Sequence, residues 1–182
     1  MKRGFFQQDT REVAKQLLGC KIVKEGLEAE IVETEAYLGE EDPASHASSG
    51  KTERNTPMYE EVGKAYVYVS YGVHDMFNVV AHPEEGTGAV LIRAARPVKG
   101  IEEMKENRGG QDEEGLCDGP GKLCEALDID KSDNKADLTG GDFRVEKGRK
   151  IENIGESSRI GISEGLEFEY RYFVEGSEYV SR

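Results

Sequence analysis

At 182 residues the chain can bury one substantial core but not two ordinary ones, so a single domain is expected. Its formal charge is -13 at pH 7, with acid spread along the chain, which argues against a generic nucleic-acid binder carrying a basic stripe. No apolar run suits a signal peptide or a membrane span, and Cys20, Cys117 and Cys124 neither pair off nor show zinc-knuckle spacing; a soluble cytoplasmic protein with buried, reduced thiols is expected.

In chain order, Asp9-Thr10-Arg11-Glu12 reads as a capping box for a helix over 13–18, and Gly19 is placed to end it. Residues 21–24 and 27–38 follow as two strands around the Glu25-Gly26 turn. The second alternates so that Leu27, Ala29, Ile31, Glu33, Glu35 and Tyr37 share one face. Residues 39–63 are mostly polar, hold Pro43 and Pro57, and form a loop of a length that is usually either functional or disordered. The clearest strand is 64–72; 76–81 and 88–95 supply two more, and the three are expected to pair antiparallel. Helices are predicted over 97–108 and 120–127, the second entered through Asp118-Gly119-Pro120. Four short strands follow at 143–146, 150–154, 159–162 and 166–174, the last turning Leu166, Phe168, Tyr170, Tyr172 and Val174 inward. Together these elements predict an α+β fold, a single domain over 1–182 with a curved, largely antiparallel sheet and peripheral helices.

Two features of this pattern need a chemical reason. The stretch Ile31-Val32-Glu33-Thr34-Glu35-Ala36-Tyr37-Leu38 places two carboxylates beside an aromatic on a face that its neighbours mark as buried. The chain also has eight tyrosines and no tryptophan, and Tyr37, Tyr59, Tyr66, Tyr68 and Tyr71 crowd into one short part of it. Tyr-Val-Tyr alone is ordinary strand packing. With Glu35, His46, Asn78 and Arg93 on or beside the same strands and loop, the aromatics instead read as a pocket for a flat ring held by a few polar atoms.

The segments VETEAYLGEEDPASHA, TERN, AYVYVSYGVHDMFNVV, VLIRAARP, GPGKLCEAL and YFVEGSEYVS, in this order, resemble the mammalian-type alkyladenine (3-methyladenine) DNA glycosylase family. Members remove alkylated and deaminated purines, and the resemblance runs from about Phe5 to Ser181. It implies that Glu35 is the catalytic carboxylate, that Arg93 helps hold the attacking water, and that the backbone carbonyl of Val174 is a third water contact. Such a carboxylate takes the proton of water and offsets the charge of an oxocarbenium-like sugar. Tyr37 and Tyr68 match the residues that stack on an extruded base, with His46 closing the pocket, and stacking on π-rich rings favours a cationic methylated purine. Asn78 matches the residue that disfavours the 2-amino group of normal guanine. Tyr71 matches the wedge that fills the gap left in the duplex.

The remaining expectations concern partners. The resemblance implies a monofunctional enzyme without cofactor or metal, acting as a monomer on double-stranded DNA containing damaged purines, with a nucleoid-associated cytoplasmic location and no membrane. No lysine is placed as a Schiff-base nucleophile. His74 and His82 lack metal-like spacing with His46, and Tyr66 reads as core or support. Phosphate contacts are sought at Lys51, Arg54, Lys64, Arg96 and Lys99, near the motifs in sequence, and at Lys122 beside the helix start at Gly119 to Gly121. Two other readings stay open. Glu33 and Glu35, roughly 6.8 Å apart at strand rise, could be the carboxylate pair of a glycoside hydrolase. The same aromatic pocket could also serve a damage-binding module without turnover.

Overall fold

Long runs of β-branched and small apolar residues build the centre of the sheet. β2 (Leu27–Tyr37) and β5 (Ala89–Lys99), eleven residues each, pair antiparallel along their length. In the computed structural model, which describes residues 1–181, they anchor one curled eight-stranded sheet with three helices packed on it. The order is β3 (Ala65–Ser70), β4 (His74–Val80), β5, β2, β1 (Lys21–Lys24) and β6 (Phe143–Glu146). Where β1 ends, β8 (Arg171–Val174) takes over that edge of β2, and β7 (Ile154–Ser157) pairs with β8. Every ladder is antiparallel, so the α+β architecture with a curved sheet is the one observed.

The helices cover one face. α1 (Thr10–Leu17) opens on Asp9, whose side chain accepts from the Arg11 N–H, and buries Val13, Ala14 and Leu17 against β2 and β5. Thr34 donates to the Ala14 carbonyl at 3.0 Å, fixing that docking. α2 (Ile101–Asn107) and α3 (Pro120–Ala126) close the same core, which contains Phe6, Ile31, Phe77, Ile92, Met104 and Leu123. A second, smaller cluster of Ala47, Met58, Tyr66, Val80 and Ala89 forms where the 39–63 loop lies over the sheet.

Four expectations are corrected. Residues 97–99 belong to β5 and not to the helix, because Pro97 and Lys99 pair with Ala29 and Glu28 of β2. Pro97 sits at a register irregularity, where a missing N–H costs no ladder bond. Gly100, at φ +76° and with space for no Cβ against Leu27, then turns the chain into α2. In the C-terminal part, residues 159–162 form no strand and the 150–154 strand appears at 154–157. The ladder predicted over 166–174 is confined to 171–174, since β2 offers β8 only Glu33 to Glu35. Leu166 is 57% exposed, Phe168 and Tyr170 stack half-buried on one another with Tyr170 packed against the edge of the core, and Tyr172 and Val174 are buried in it.

Candidate active site

The pairing register carries side chains from four strands into one row. Glu35 stands opposite Leu91, Leu91 opposite Asn78, and Asn78 opposite Tyr66. In an antiparallel sheet such partners share a face, so a carboxylate, an amide and a phenol line up across β2, β5, β4 and β3. This row underlies a cleft of about 570 Å³, a size suited to one planar heterocycle and its sugar. Tyr37 and Tyr68 line it from the strands. Ala44, His46 and Met58 come from the 39–63 loop, and Ile160, Gly161 and Ile162 form a further wall.

The loop that brings His46 is braced from inside. Buried Asn55 donates to the carbonyls of His46 (2.7 Å) and Gly50 (2.9 Å), and Asp42 accepts from the N–H groups of Leu38 and Ala44. His46 meets Tyr68 edge to face at 4.6 Å between ring centres, and its Nδ1 lies 3.0 Å from the Tyr66 hydroxyl. Burial, with the nearby Arg54 charge, holds the His46 pKa below its usual value and keeps the ring neutral at pH 7. Burial likewise pushes the Tyr68 hydroxyl up to about 12. The Asn78 amide donates to the carbonyls of Tyr66 and Met76, which fixes its plane.

Glu35 is fully buried just behind the cleft surface, roofed by Tyr37, Arg93 and Ile160. Its Oε2 accepts from the Tyr37 hydroxyl at 2.7 Å. Its Oε1 accepts from the Ile160 N–H at 2.7 Å and lies 3.3 Å from Arg93 Nη1. Burial first and the Glu35 charge second raise the Tyr37 hydroxyl well above 10, so it stays a donor. For Arg93, burial opposes the charge but Glu35 and Glu33 outweigh it, and the guanidinium stays cationic. Glu33 does not line the cleft. It is fully buried and accepts from Arg93, Arg171 and Ser181.

Tyr71 lies at the β3–β4 hairpin tip, at the mouth of the cleft and 93% exposed. Its φ of +50°, beside Gly72 at +75°, makes the left-handed turn that fits strand twist but strains a tyrosine. Arg54 shares the mouth, its guanidinium 5.1 Å over the Tyr68 ring, while Lys51 lies over Tyr59 at 5.6 Å. Lys122 pairs with Asp118 at 2.8 Å, two residues after Pro120 at the mouth.

Several sequence candidates lie elsewhere. Lys64 is at the far end of β3 near Glu61, while Arg96 and Lys99 sit far along β5, paired with Glu30 and Glu28. A strand advances about 3.3 Å per residue, so closeness in sequence does not bring them to the mouth. Val174 is also away from the cleft. It pairs with Ile154, and its carbonyl accepts from the Ser177 N–H at 3.2 Å. The backbone that reaches Glu35 is instead that of Ile160. Sequence reasoning gave no role to Arg159, whose buried guanidinium takes Asp42 bidentately at 2.6 and 2.7 Å and lies 4.7 Å from the Tyr37 ring centre. The only trace of it in the sequence is a charged residue beside the apolar Ile160-Gly161-Ile162.

Comparison with known proteins agrees with this geometry. The family model described as methylpurine-DNA glycosylase (MPG) matches residues 4–178, so a DNA glycosylase is the class of enzyme in hand. The chain belongs to the methylpurine-DNA glycosylase family. It is 47% identical to a relative from Chlorobium phaeovibrioides, covering all of this chain and 96% of that one. It is 46% identical to another from Carboxydothermus hydrogenoformans, over all of this chain and 98% of the relative. Both relatives carry the name "Putative 3-methyladenine DNA glycosylase". Among the described residues no helix is long and apolar enough to cross a membrane.

Proposed function

We propose that the enzyme acts on double-stranded DNA as a monomer in the nucleoid-bearing cytoplasm, extrudes an alkylated or deaminated purine into the cleft, and hydrolyses its N-glycosidic bond. The observation that carries this reading is the buried Glu35–Arg93 pair directly beneath a slot lined by Tyr37, Tyr68 and His46. The names of the relatives make 3-methyladenine one expected substrate. Tyr71 enters the duplex as the base leaves, and the tyrosines stack on the flipped ring. Asn78, held by two carbonyls, meets the purine edge and penalises the extra amino group of guanine. Because guanidiniums already lie against Tyr37 and Tyr68, stacking does not reserve the slot for cationic bases.

The attacking water sits among Arg93, Ile160 and Glu35. Glu35 takes its proton as the glycosidic bond lengthens, and the same negative charge offsets the developing sugar cation. The products are the free base and an abasic site. Glu33 takes no part in proton transfer, since four hydrogen bonds occupy it away from the cleft.

Single-turnover excision of hypoxanthine from a duplex, with abasic sites cleaved by alkali, tests the reading. Glu35→Gln is expected to bind the lesion within a few-fold of wild type and to lose on the order of 10²-fold or more in rate. Undiminished excision by Glu35→Gln would refute the assignment. Strand cleavage without alkali would refute the monofunctional mechanism.

A further inference from the structure

The role of Glu33 follows from the way Arg93 is shared. Each nitrogen of the Arg93 guanidinium has its own partner. Nε donates to Glu33 at 2.9 Å, Nη1 faces Glu35 at 3.3 Å, and Nη2 donates to the Ser181 hydroxyl at 3.3 Å. Glu33 in turn accepts from Arg171 Nε (2.7 Å) and from the Ser181 hydroxyl (2.8 Å) and N–H (2.6 Å). Two buried carboxylates and two nearly buried guanidiniums thus form a balanced quartet. The backbone is adjusted to it. Between Ile31 and Thr34 the β2–β5 ladder leaves Val32 and Arg93 unpaired, an irregularity on each strand at the point where Arg93 departs.

An arginine beside a single carboxylate prefers the parallel, two-bond fork. Arg93 so engaged on Glu35 would occupy the lone pairs that have to receive the proton of water. Glu33 competes for that fork. We infer that Glu33, braced by Arg171 and Ser181, is a positioning residue that draws Arg93 into a shared grip and leaves Glu35 with one long arginine contact and a free acceptor site. The inference rests on Glu35 being the base.

The test is a double-mutant cycle in the single-turnover excision assay, with lesion binding and thermal melting measured on every variant. Glu33→Gln is expected to bind the lesion duplex within about 2-fold of wild type and to excise about 10- to 100-fold more slowly, the scale of loss seen when reacting groups are displaced by an ångström. In an Arg93→Gln background the same change is expected to cost no more than about 2-fold, because residues acting through one another are not additive. A residue needed only for folding would slow both backgrounds alike. Wild-type excision by Glu33→Gln, or a full additional loss in the Arg93→Gln background, overturns the proposal. If Glu33→Gln does not fold, Ser181→Ala decides. It is expected to slow excision about 3- to 10-fold in the wild-type background and not in Arg93→Gln, a size matching the net worth of one ordinary hydrogen bond. An unchanged rate for Ser181→Ala then overturns the proposal. Undiminished excision by Glu35→Gln is a separate failure, that of the base assignment, and is read in the same assay.

Discussion

Tyr71 shows how much one residue can reveal at its own scale. A tyrosine that is 93% exposed and held at positive φ gains nothing for folding, which is what the proposed wedge role requires of it. Tyr71→Ala is expected to change unfolding free energy by less than about 0.5 kcal/mol, as for other exposed sites. On the proposed function its effect is expected in base extrusion. Binding to a paired lesion should weaken more than binding to the same lesion in a bulge, where unstacking worth a few kcal/mol has already been met. Equal loss on both duplexes in a competition assay would show that Tyr71 is not the wedge.

Among the elements, the cleft depends on a join between two segments that have no regular structure of their own. Arg159, just before the Ile160–Ile162 wall, takes Asp42 bidentately, and Asp42 also caps the N–H groups that begin the loop carrying His46. Both side chains are buried, so removing one charge strands the other. Asp42→Asn is expected to cost about 3–5 kcal/mol and to lower the melting temperature by on the order of 10 °C. Arg159→Lys should not be a mild change, because an ammonium cannot make the fork or lie flat on Tyr37. Replacing both partners by apolar residues should recover part of the loss, and a double variant as unstable as Asp42→Asn would argue against the pair.

For the whole molecule, the puzzle is a charge of -13 on an enzyme of DNA. Carboxylates neutralise Lys64, Arg96 and Lys99 far from the cleft, while Arg54 lies over the Tyr68 ring at its mouth and Lys51 over the Tyr59 ring, neither held by a carboxylate ion pair among the described residues. Lesion affinity is therefore expected to fall steadily as salt rises. Lys51→Ala or Arg54→Ala should reduce the slope of log affinity against log salt by about 0.9. An affinity that rises over the low-salt range would instead mark an acidic surface repelling DNA until screened. Alkali tests the core. Burial raises the hydroxyls of Tyr37, Tyr66, Tyr68 and Tyr172 above 10, so the unfolded chain ionises before the folded one. The stability tied to each is intact below pH 10 and is lost as pH rises from there, at about 1.4 kcal/mol per unit for each group until its folded pKa is reached. Urea midpoints falling between pH 9 and 11, with the phenolate absorbance of these four buried tyrosines appearing only on unfolding, are the expected record.

Local pattern was enough for β2 and for Glu33, Glu35 and Tyr37 on one strand, because side-chain alternation acts over a few positions, whereas the strand read over 64–72 ends at Ser70 and gives Tyr71 and Gly72 to the hairpin turn. The family resemblance read from six motifs made the class of enzyme legible as well. Tertiary structure decided what depends on distant partners. Pairing with β2 held Pro97 to Lys99 in a strand, and the reach of Ile160 to Glu35 across 125 positions brought that backbone to the site while Val174 stayed away. Strand length, not sequence distance, selected which cations stand at the mouth. Glu33 looked like a possible second acid until Arg93, Arg171 and Ser181, contributed by three other segments, closed around it. Alternation sets which face a side chain takes; its protonation, partners and access to the cleft are set by residues that only the folded chain brings within hydrogen-bonding distance.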